Sequence, residues 1–89
     1  MTRRPKLASQ NVKRSIVIGG RKTSVGLEGA FWVSFKDIAA RKRISVSALA
    51  TRLDTDRDHA NLSSVIRVFV LEHYRRLAEE AATDAKGNQ

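Results

Sequence analysis

Two adjacent glycines, Gly19 and Gly20, separate two segments in which apolar and polar residues alternate. A Gly-Gly pair supplies the positive φ angles of a two-residue hairpin turn, and alternation is the pattern of a half-buried strand. The sequence therefore predicts a β-hairpin with strands over residues 12–18 and 21–27. With a two-residue turn, opposed residues have numbers that sum to 39, as 19 and 20 do, so the turn fixes the register.

This register gives the hairpin two unlike faces. The mostly polar and basic face carries Lys13, Ser15, Val17, Lys22, Ser24 and Gly26. The mostly apolar face carries Arg14, Ile16, Ile18, Arg21, Thr23 and Val25, with Leu27 continuing it. Because the turn and the hydrophobic pattern agree, we expect the apolar face to lie against the core and the basic face to point outward.

After Leu27 the spacing of the apolar residues becomes helical. The pattern predicts a first helix over residues 29–43 and a second helix that starts at the N-cap candidate Ser45. A polar connector follows over residues 54–60, and a third helix runs from the N-cap candidate Asn61 to about Ala82. Residues 1–11 are predicted to be a flexible basic arm, residues 12–82 a single domain and residues 83–89 a disordered tail.

The third helix is apolar nearly all round, since between Val65 and Leu71 only Arg67 is polar. A chain of 89 residues has too little protein to cover such a helix on every side, and it has no cysteine for disulfides or thiolate zinc sites. The sequence therefore predicts a homodimer. The residues expected in its core are Val25, Leu27, Phe31, Val65, Ile66, Phe69 and Val70.

The positive charge is concentrated at the start of the sequence. Residues 1–27 hold seven basic residues and no acidic one, whereas residues 28–89 hold ten basic and nine acidic residues. This asymmetry is typical of a polyanion-binding face attached to an ordinary folding unit, and the alternative is a solvated basic tail.

Enzymatic, metal-binding and membrane functions find little support. No Gly-rich phosphate loop or nucleophile–base motif is present, and His59 and His73 are too far apart for a metal cage. We therefore expect no catalytic residue, metal or cofactor. Trp32 has the spacing of a core or interface aromatic rather than of a base-stacking platform. The longest apolar run, Val68–Leu71, is far shorter than the ~20 residues of a membrane span, and we expect a cytoplasmic, nucleoid-associated prokaryotic protein.

A two-stranded ribbon fits the DNA major groove, which is about 12 Å wide, and its outward side chains then meet base edges. Here the outward set at every second residue is Lys22, Ser24 and Gly26. Lysine can donate to guanine O6 and N7, and serine can donate or accept. Gly26 offers no side chain, so we expect a close backbone approach or no contact at that position.

Phosphate contacts have three candidate sources. The N–H groups at a helix start attract anions, and Ser45, Val46 and Ser47 form such a start, although plain N-capping explains them equally well. Arg21, in the ribbon, is a second candidate. The arm residues Arg3, Arg4 and Lys6 could reach the DNA backbone or the minor groove.

Three consecutive segments resemble the ribbon-helix-helix family, to which the Arc and Met repressors belong. They are the strand KTSVGLE at residues 22–28, the apolar helix at 31–43, and the helix start ISVSAL at 44–49. The blocks KRSIVIGGRKTS at 13–24 and NLSSVIRVFVLE at 61–72 are similar to a bacterial subfamily of that fold, so the resemblance covers roughly residues 12–75.

The resemblance implies a mainly α fold with a short β-ribbon, extended by an N-terminal strand and a C-terminal helix. It implies an intertwined homodimer in which each ribbon strand pairs antiparallel with its twin. It also implies a sequence-selective regulator of transcription, a repressor, that binds double-stranded DNA. Lys22 and Ser24 match the family's base-reading positions, and Ser45, Val46 and Ser47 match its phosphate clamp.

Gly26 departs from the family pattern, which usually has a polar base-reading residue there. The extra strand either flanks the ribbon, which would bring Lys13, Arg14 and Ser15 near DNA, or caps the sheet edge. A different class of function is an antitoxin-type interaction module with DNA-binding autoregulation, although residues 75–82 are a weakly apolar segment for wrapping a toxin. A membrane-surface peptide is disfavoured, because the basic segment has strand periodicity.

Overall fold

A computed structural model describes residues 11–56 and 61–87. The chain forms β1 (Asn11–Ile18), β2 (Arg21–Glu28), α1 (Gly29–Arg41), α2 (Val46–Asp56) and α3 (Leu62–Gly87). The predicted fold class, mainly helical with a short β-ribbon, is confirmed. The arm candidates Arg3, Arg4 and Lys6, together with His59, lie outside the described residues.

The hairpin has the predicted turn and register. Gly19 and Gly20 have φ angles of 57° and 83°, which only glycine adopts at little cost. β1 and β2 are antiparallel, and every opposed pair, such as Ser15 with Ser24, obeys the predicted sum. Thr51 of α2 accepts a 3.1 Å hydrogen bond from the Gly19 N–H, so α2 holds the turn in place.

The core forms where the apolar hairpin face meets the three helices. The buried apolar residues are Ile16, Ile18, Val25, Leu27, Phe35, Ile38, Ala39, Leu49, Ala50, Leu62, Ile66 and Val70. The Phe35 ring meets the Phe69 ring edge-on, with 6.2 Å between centroids. α2 packs mainly on β1, whereas α3 packs on both α1 and β2. The helices therefore cover one face of the hairpin and leave the basic face open.

Both N-cap predictions agree with the hydrogen bonds. Ser45 Oγ accepts from the Ala48 N–H at 2.9 Å, and Asn61 Oδ1 accepts from the Ser64 N–H at 3.3 Å. The predicted C-termini are less accurate. α1 ends at Arg41, two residues early, because Arg43 takes a positive φ of 60°. α3 continues past Ala82 to Gly87, the first residue beyond Ala82 with a very low helix propensity.

An ion pair joins the end of the ribbon strand to α3. Arg67 Nε donates to Glu28 Oε1 at 2.8 Å, and both side chains are mostly covered. This hydrogen bond to the Arg67 guanidinium lowers the pKa of Glu28 below its ordinary value of 4.5. The pair fixes the position of α3 relative to the point where β2 ends and α1 begins.

We expect the Glu28–Arg67 pair to make folding stability pH-dependent in acid. Because the pKa of Glu28 is lower in the folded than in the unfolded chain, the unfolded chain binds more protons as the pH falls. The contribution is therefore complete above pH 4.5 and is lost below it, as Glu28 protonates in the folded state. Urea unfolding at neutral pH and at about pH 3.5 should show a smaller loss of stability for Glu28→Gln than for the natural chain. Equal losses would contradict this role.

Candidate nucleic-acid interface

The basic face of the hairpin is open to solvent. Lys13, Ser15, Val17, Lys22 and Ser24 are all exposed on it, as the register predicts. This set combines cationic and hydroxyl side chains with one exposed valine. Such a surface can donate hydrogen bonds to base edges and phosphates, and the valine can contact a thymine methyl group.

Position 26 of β2 lies next to a side chain of β1. Gly26 is partly covered by the side chain of Asn11, and a Cβ atom at position 26 would lie only 2.7 Å from Asn11 Oδ1. The Asn11 side chain therefore occupies the space that a side chain at position 26 would fill. Sequence analysis missed Asn11 because it placed this residue at the end of the flexible arm.

Arg14 lies on the opposite face of the hairpin. Its guanidinium carbon is 5.6 Å from the centroid of the Trp32 ring, and Lys36 Nζ is also 5.6 Å from that centroid. Trp32 is half-buried and packs against the core, as its helical spacing predicts. The two cations favour the electron-rich face of the indole, and Arg14 is thereby separated from the exposed set on the basic face.

A cleft of about 370 Å³ runs beside β2. Its lining residues are Ile18, Arg21, Thr23, Ser24, Val25, Asp54, Asn61, Leu62 and Ser63. The start of α3 thus borders Arg21 and Ser24, and a helix start presents free N–H groups and partial positive charge. Ser45, Val46 and Ser47 are not among the lining residues. In this cleft the helix start beside the ribbon is therefore that of α3.

The sequence contains a sign of this second helix start. Asn61-Leu62-Ser63 has the same order of a capping residue, an apolar residue and a serine as Ser45-Val46-Ser47. Sequence spacing could not show which of the two starts lies against the ribbon, because that depends on how the helices pack.

An apolar groove of about 330 Å³ opens on the α2–α3 side, lined by Leu53, Ser64, Val65, Val68, Phe69 and Glu72. Val68 and Leu71 are 52% and 55% exposed. Val33, Tyr74 and Leu77 are exposed as well. So much exposed apolar surface on a small domain is typical of an interaction site.

The residues expected in a dimer core divide into two groups. Val25, Leu27, Ile66 and Val70 are buried within the single chain. Phe31, Val65 and Phe69 are only partly buried. The single chain therefore completes part of the expected core by itself and leaves the other part open.

His73 lies half-buried on α3, edge-on to the Tyr74 ring. Burial lowers the pKa of His73 below 6.5, and the nearby cations of Lys42, Arg76 and Arg41 act in the same direction, against Asp37. Among residues 11–56 and 61–87, no three His, Cys, Asp or Glu side chains are grouped so that they could hold a metal ion. The described helices also include none with the length and apolar character needed to cross a bilayer.

Comparison with known proteins gives two similarities. A family model described as a ribbon-helix-helix domain matches residues 11–74. A solved structure, that of an uncharacterized protein from Bordetella pertussis Tohama I, superposes with a TM-score of 0.74 at 32% sequence identity. The match covers 88% of this chain and 66% of that one, so the present chain spans just under two thirds of its length. No curated protein matches the sequence.

Proposed function

The chain belongs to the ribbon-helix-helix domain family, a family of DNA-binding regulators, and on that premise we propose that it is a sequence-selective transcriptional regulator, a repressor, that binds double-stranded DNA. The observation that carries the proposal is the exposed basic face of the hairpin, with Lys22 and Ser24 at every second residue of β2. In this function Lys22 and Ser24 contact base edges in the major groove. The location that follows is the cytoplasm, with the nucleoid, and neither metal nor cofactor is needed.

Members of this family typically bind DNA as dimers, and two features support a homodimer here. In the described sheet β2 pairs only with β1, so the second edge of β2 can pair with the same strand of another copy. The apolar groove and the exposed Val68 and Leu71 give the helices a surface to bury in the same assembly. A symmetric dimer would bind a twofold-symmetric DNA site.

The cleft beside β2 supports a phosphate contact at the start of α3. Asn61 and Ser63 border the same cleft as Arg21 and Ser24. A phosphate that flanks the base contacts of Ser24 would meet the N–H groups of this helix start and the Arg21 guanidinium. We therefore favour Asn61 and Ser63 over Ser45, Val46 and Ser47, because Asn61 and Ser63 line this cleft and the other three do not.

Replacing Lys22 and Ser24 should abolish sequence preference at the base pairs that these two side chains contact. In Lys22→Ala/Ser24→Ala both exposed side chains are lost while the buried face of β2 is unchanged, so the fold should persist. Each good base contact contributes about 1–3 kcal/mol of discrimination. The double variant should therefore bind duplexes that differ only at those base pairs with nearly equal affinity, as measured by fluorescence anisotropy on duplexes derived from the site that the natural chain selects from random DNA.

The matched control is Arg52→Ala/Thr55→Ala, which also removes one cation and one hydroxyl, but from exposed positions on α2. It should retain the preference of the natural chain. A Lys22→Ala/Ser24→Ala variant that selects the same consensus as the natural chain at every position would show that Lys22 and Ser24 do not read the sequence.

A second candidate is an antitoxin-type module that represses its own transcription. It is favoured by the length of α3, which continues to Gly87 and exposes Leu77 at 40% of its surface, so that a partner protein could bind there. The test is to express any adjacent small reading frame alone. Growth arrest that is relieved by this chain would favour the antitoxin, and normal growth would favour the simple repressor.

A further inference from the structure

We propose that Asn11 is the third base-reading residue of each ribbon, and that its carboxamide takes the place of the side chain that Gly26 lacks. This inference rests on the proposed function and assigns a specificity-determining role to a residue of β1. Its ligand is an adenine edge in the major groove, which an asparagine side chain contacts through two hydrogen bonds, to N6 and N7.

The geometry of the hairpin places the carboxamide on the DNA-facing side. Asn11 has the same strand parity as Lys13 and Ser15, which are exposed on the basic face. Position 26 lies on the same outward face of β2 as Lys22 and Ser24, because its neighbours Val25 and Leu27 point into the core. The oxygen, carbon and nitrogen of the Asn11 amide lie 2.7, 3.6 and 3.8 Å from where a Cβ of residue 26 would be. The amide therefore lies over β2 at the outward position 26.

Glycine at position 26 is explained by space rather than by backbone conformation. The described glycines with positive φ are Gly19 and Gly20, so the backbone at Gly26 is one that any residue can adopt. A Cβ at 2.7 Å from the Asn11 amide, however, would have to displace that side chain. Gly26 and Asn11 thus form a complementary pair, in which the absence of one side chain makes room for the other.

The position of the Asn11 amide over β2 determines whether this side chain can reach a base. In a dimer that pairs two β2 strands, β1 becomes the outer strand on each side. Four strands at about 4.8 Å spacing place the outer strand axes about 14 Å apart, whereas the major groove is about 12 Å wide. Side chains that point straight out from β1, such as Lys13, would meet the phosphates at the groove edges. The Asn11 amide lies over β2 and so falls inside the groove.

The experiment is selection of bound sites from random duplex DNA by the natural chain, Asn11→Ala and Gly26→Ala, followed by affinity measurements on the selected site. The natural chain should select adenine at one position of each half-site. Asn11→Ala should lose that adenine in both half-sites and bind the selected site about 30- to 10⁴-fold more weakly, with other positions unchanged. Gly26→Ala should relax the same position, because its methyl group displaces the amide, and the double variant should lose nothing further.

Asn61→Ala is the matched control, since it also removes an asparagine side chain. Because Asn61 is proposed to contact a phosphate, Asn61→Ala should weaken binding to all sequences alike. It should still select adenine at the same position of each half-site. An unchanged consensus in both Asn11→Ala and Gly26→Ala would overturn the inference and leave Asn11 as a cover for the end of the hairpin. Failure of the natural chain to select any sequence would instead refute the proposed function.

Discussion

The affinity of this protein for DNA should fall by about 10³- to 10⁵-fold when the salt concentration rises from 50 to 200 mM. The reason is the concentration of charge in residues 1–27, which hold seven basic residues and no acidic one. A dimer brings this charge to the DNA twice, enough to neutralise roughly six to ten phosphates and release their counterions. The measurement is the slope of log affinity against log salt concentration, taken on a labelled duplex.

Variants that each remove one charge show which cations contribute to the salt dependence. Lys13→Ala removes an exposed cation from the outer strand and should flatten the slope by about one for each phosphate contact, hence by about two in a dimer. Arg75→Ala removes the same charge from an exposed position on α3 and should leave the slope unchanged. A shallow slope in the natural chain, or equal effects of the two variants, would show that the basic face does not contact the DNA backbone.

The hairpin could be predicted in detail because its determinants are local. A two-residue Gly19-Gly20 turn fixes which residues are opposed, and the alternation of side chains then fixes which face is buried. The two N-caps were predictable for the same reason, since Ser45 and Asn61 each bond to an N–H only three residues away. Turns and helix caps of this kind are determined by residues that are close together in the sequence.

The features that sequence analysis missed depend on packing between distant segments. Two similar helix starts were visible, but the position of α3 against β2, held by the pair of Arg67 with Glu28, decides which start lies beside Ser24. The contact of Asn11 with Gly26 was likewise hidden, because Asn11 was assigned to the arm. The structure extends β1 to include it, which brings its side chain onto the neighbouring strand.

The sequence shows that α3 is apolar nearly all round, and the structure shows which of its apolar residues remain exposed. Ile66 and Val70 are buried in the core, whereas Val68 and Leu71 remain about half exposed on other sides of the helix. Exposed residues of this type cost solubility and are retained where a partner covers them. Val68 and Leu71 lie outside the buried core, so these positions can be altered without opening it.

Val68→Lys/Leu71→Glu should therefore separate the proposed dimer while leaving each chain folded. Burying the exposed half of one such side chain contributes about 1 kcal/mol, and a symmetric interface buries four of them, about 4 kcal/mol in all. The dissociation constant of the dimer should then rise by roughly 10³-fold. Sedimentation at micromolar concentration should show a single chain, and DNA affinity should fall with it because each chain contacts one half-site only.

The two substitutions add opposite charges, so the net charge and the electrostatic attraction to DNA stay the same. Ala81→Lys/Ala82→Glu makes the same change at exposed positions nearer the end of α3 and should retain the mass and DNA affinity of the natural chain. A Val68→Lys/Leu71→Glu variant that keeps the natural mass would show that the dimer does not use this face of α3. A loss of assembly mass in Val68→Lys/Leu71→Glu but not in Ala81→Lys/Ala82→Glu would identify the apolar surface around Val68 and Leu71 as the interface, because both variants add the same two charges to α3.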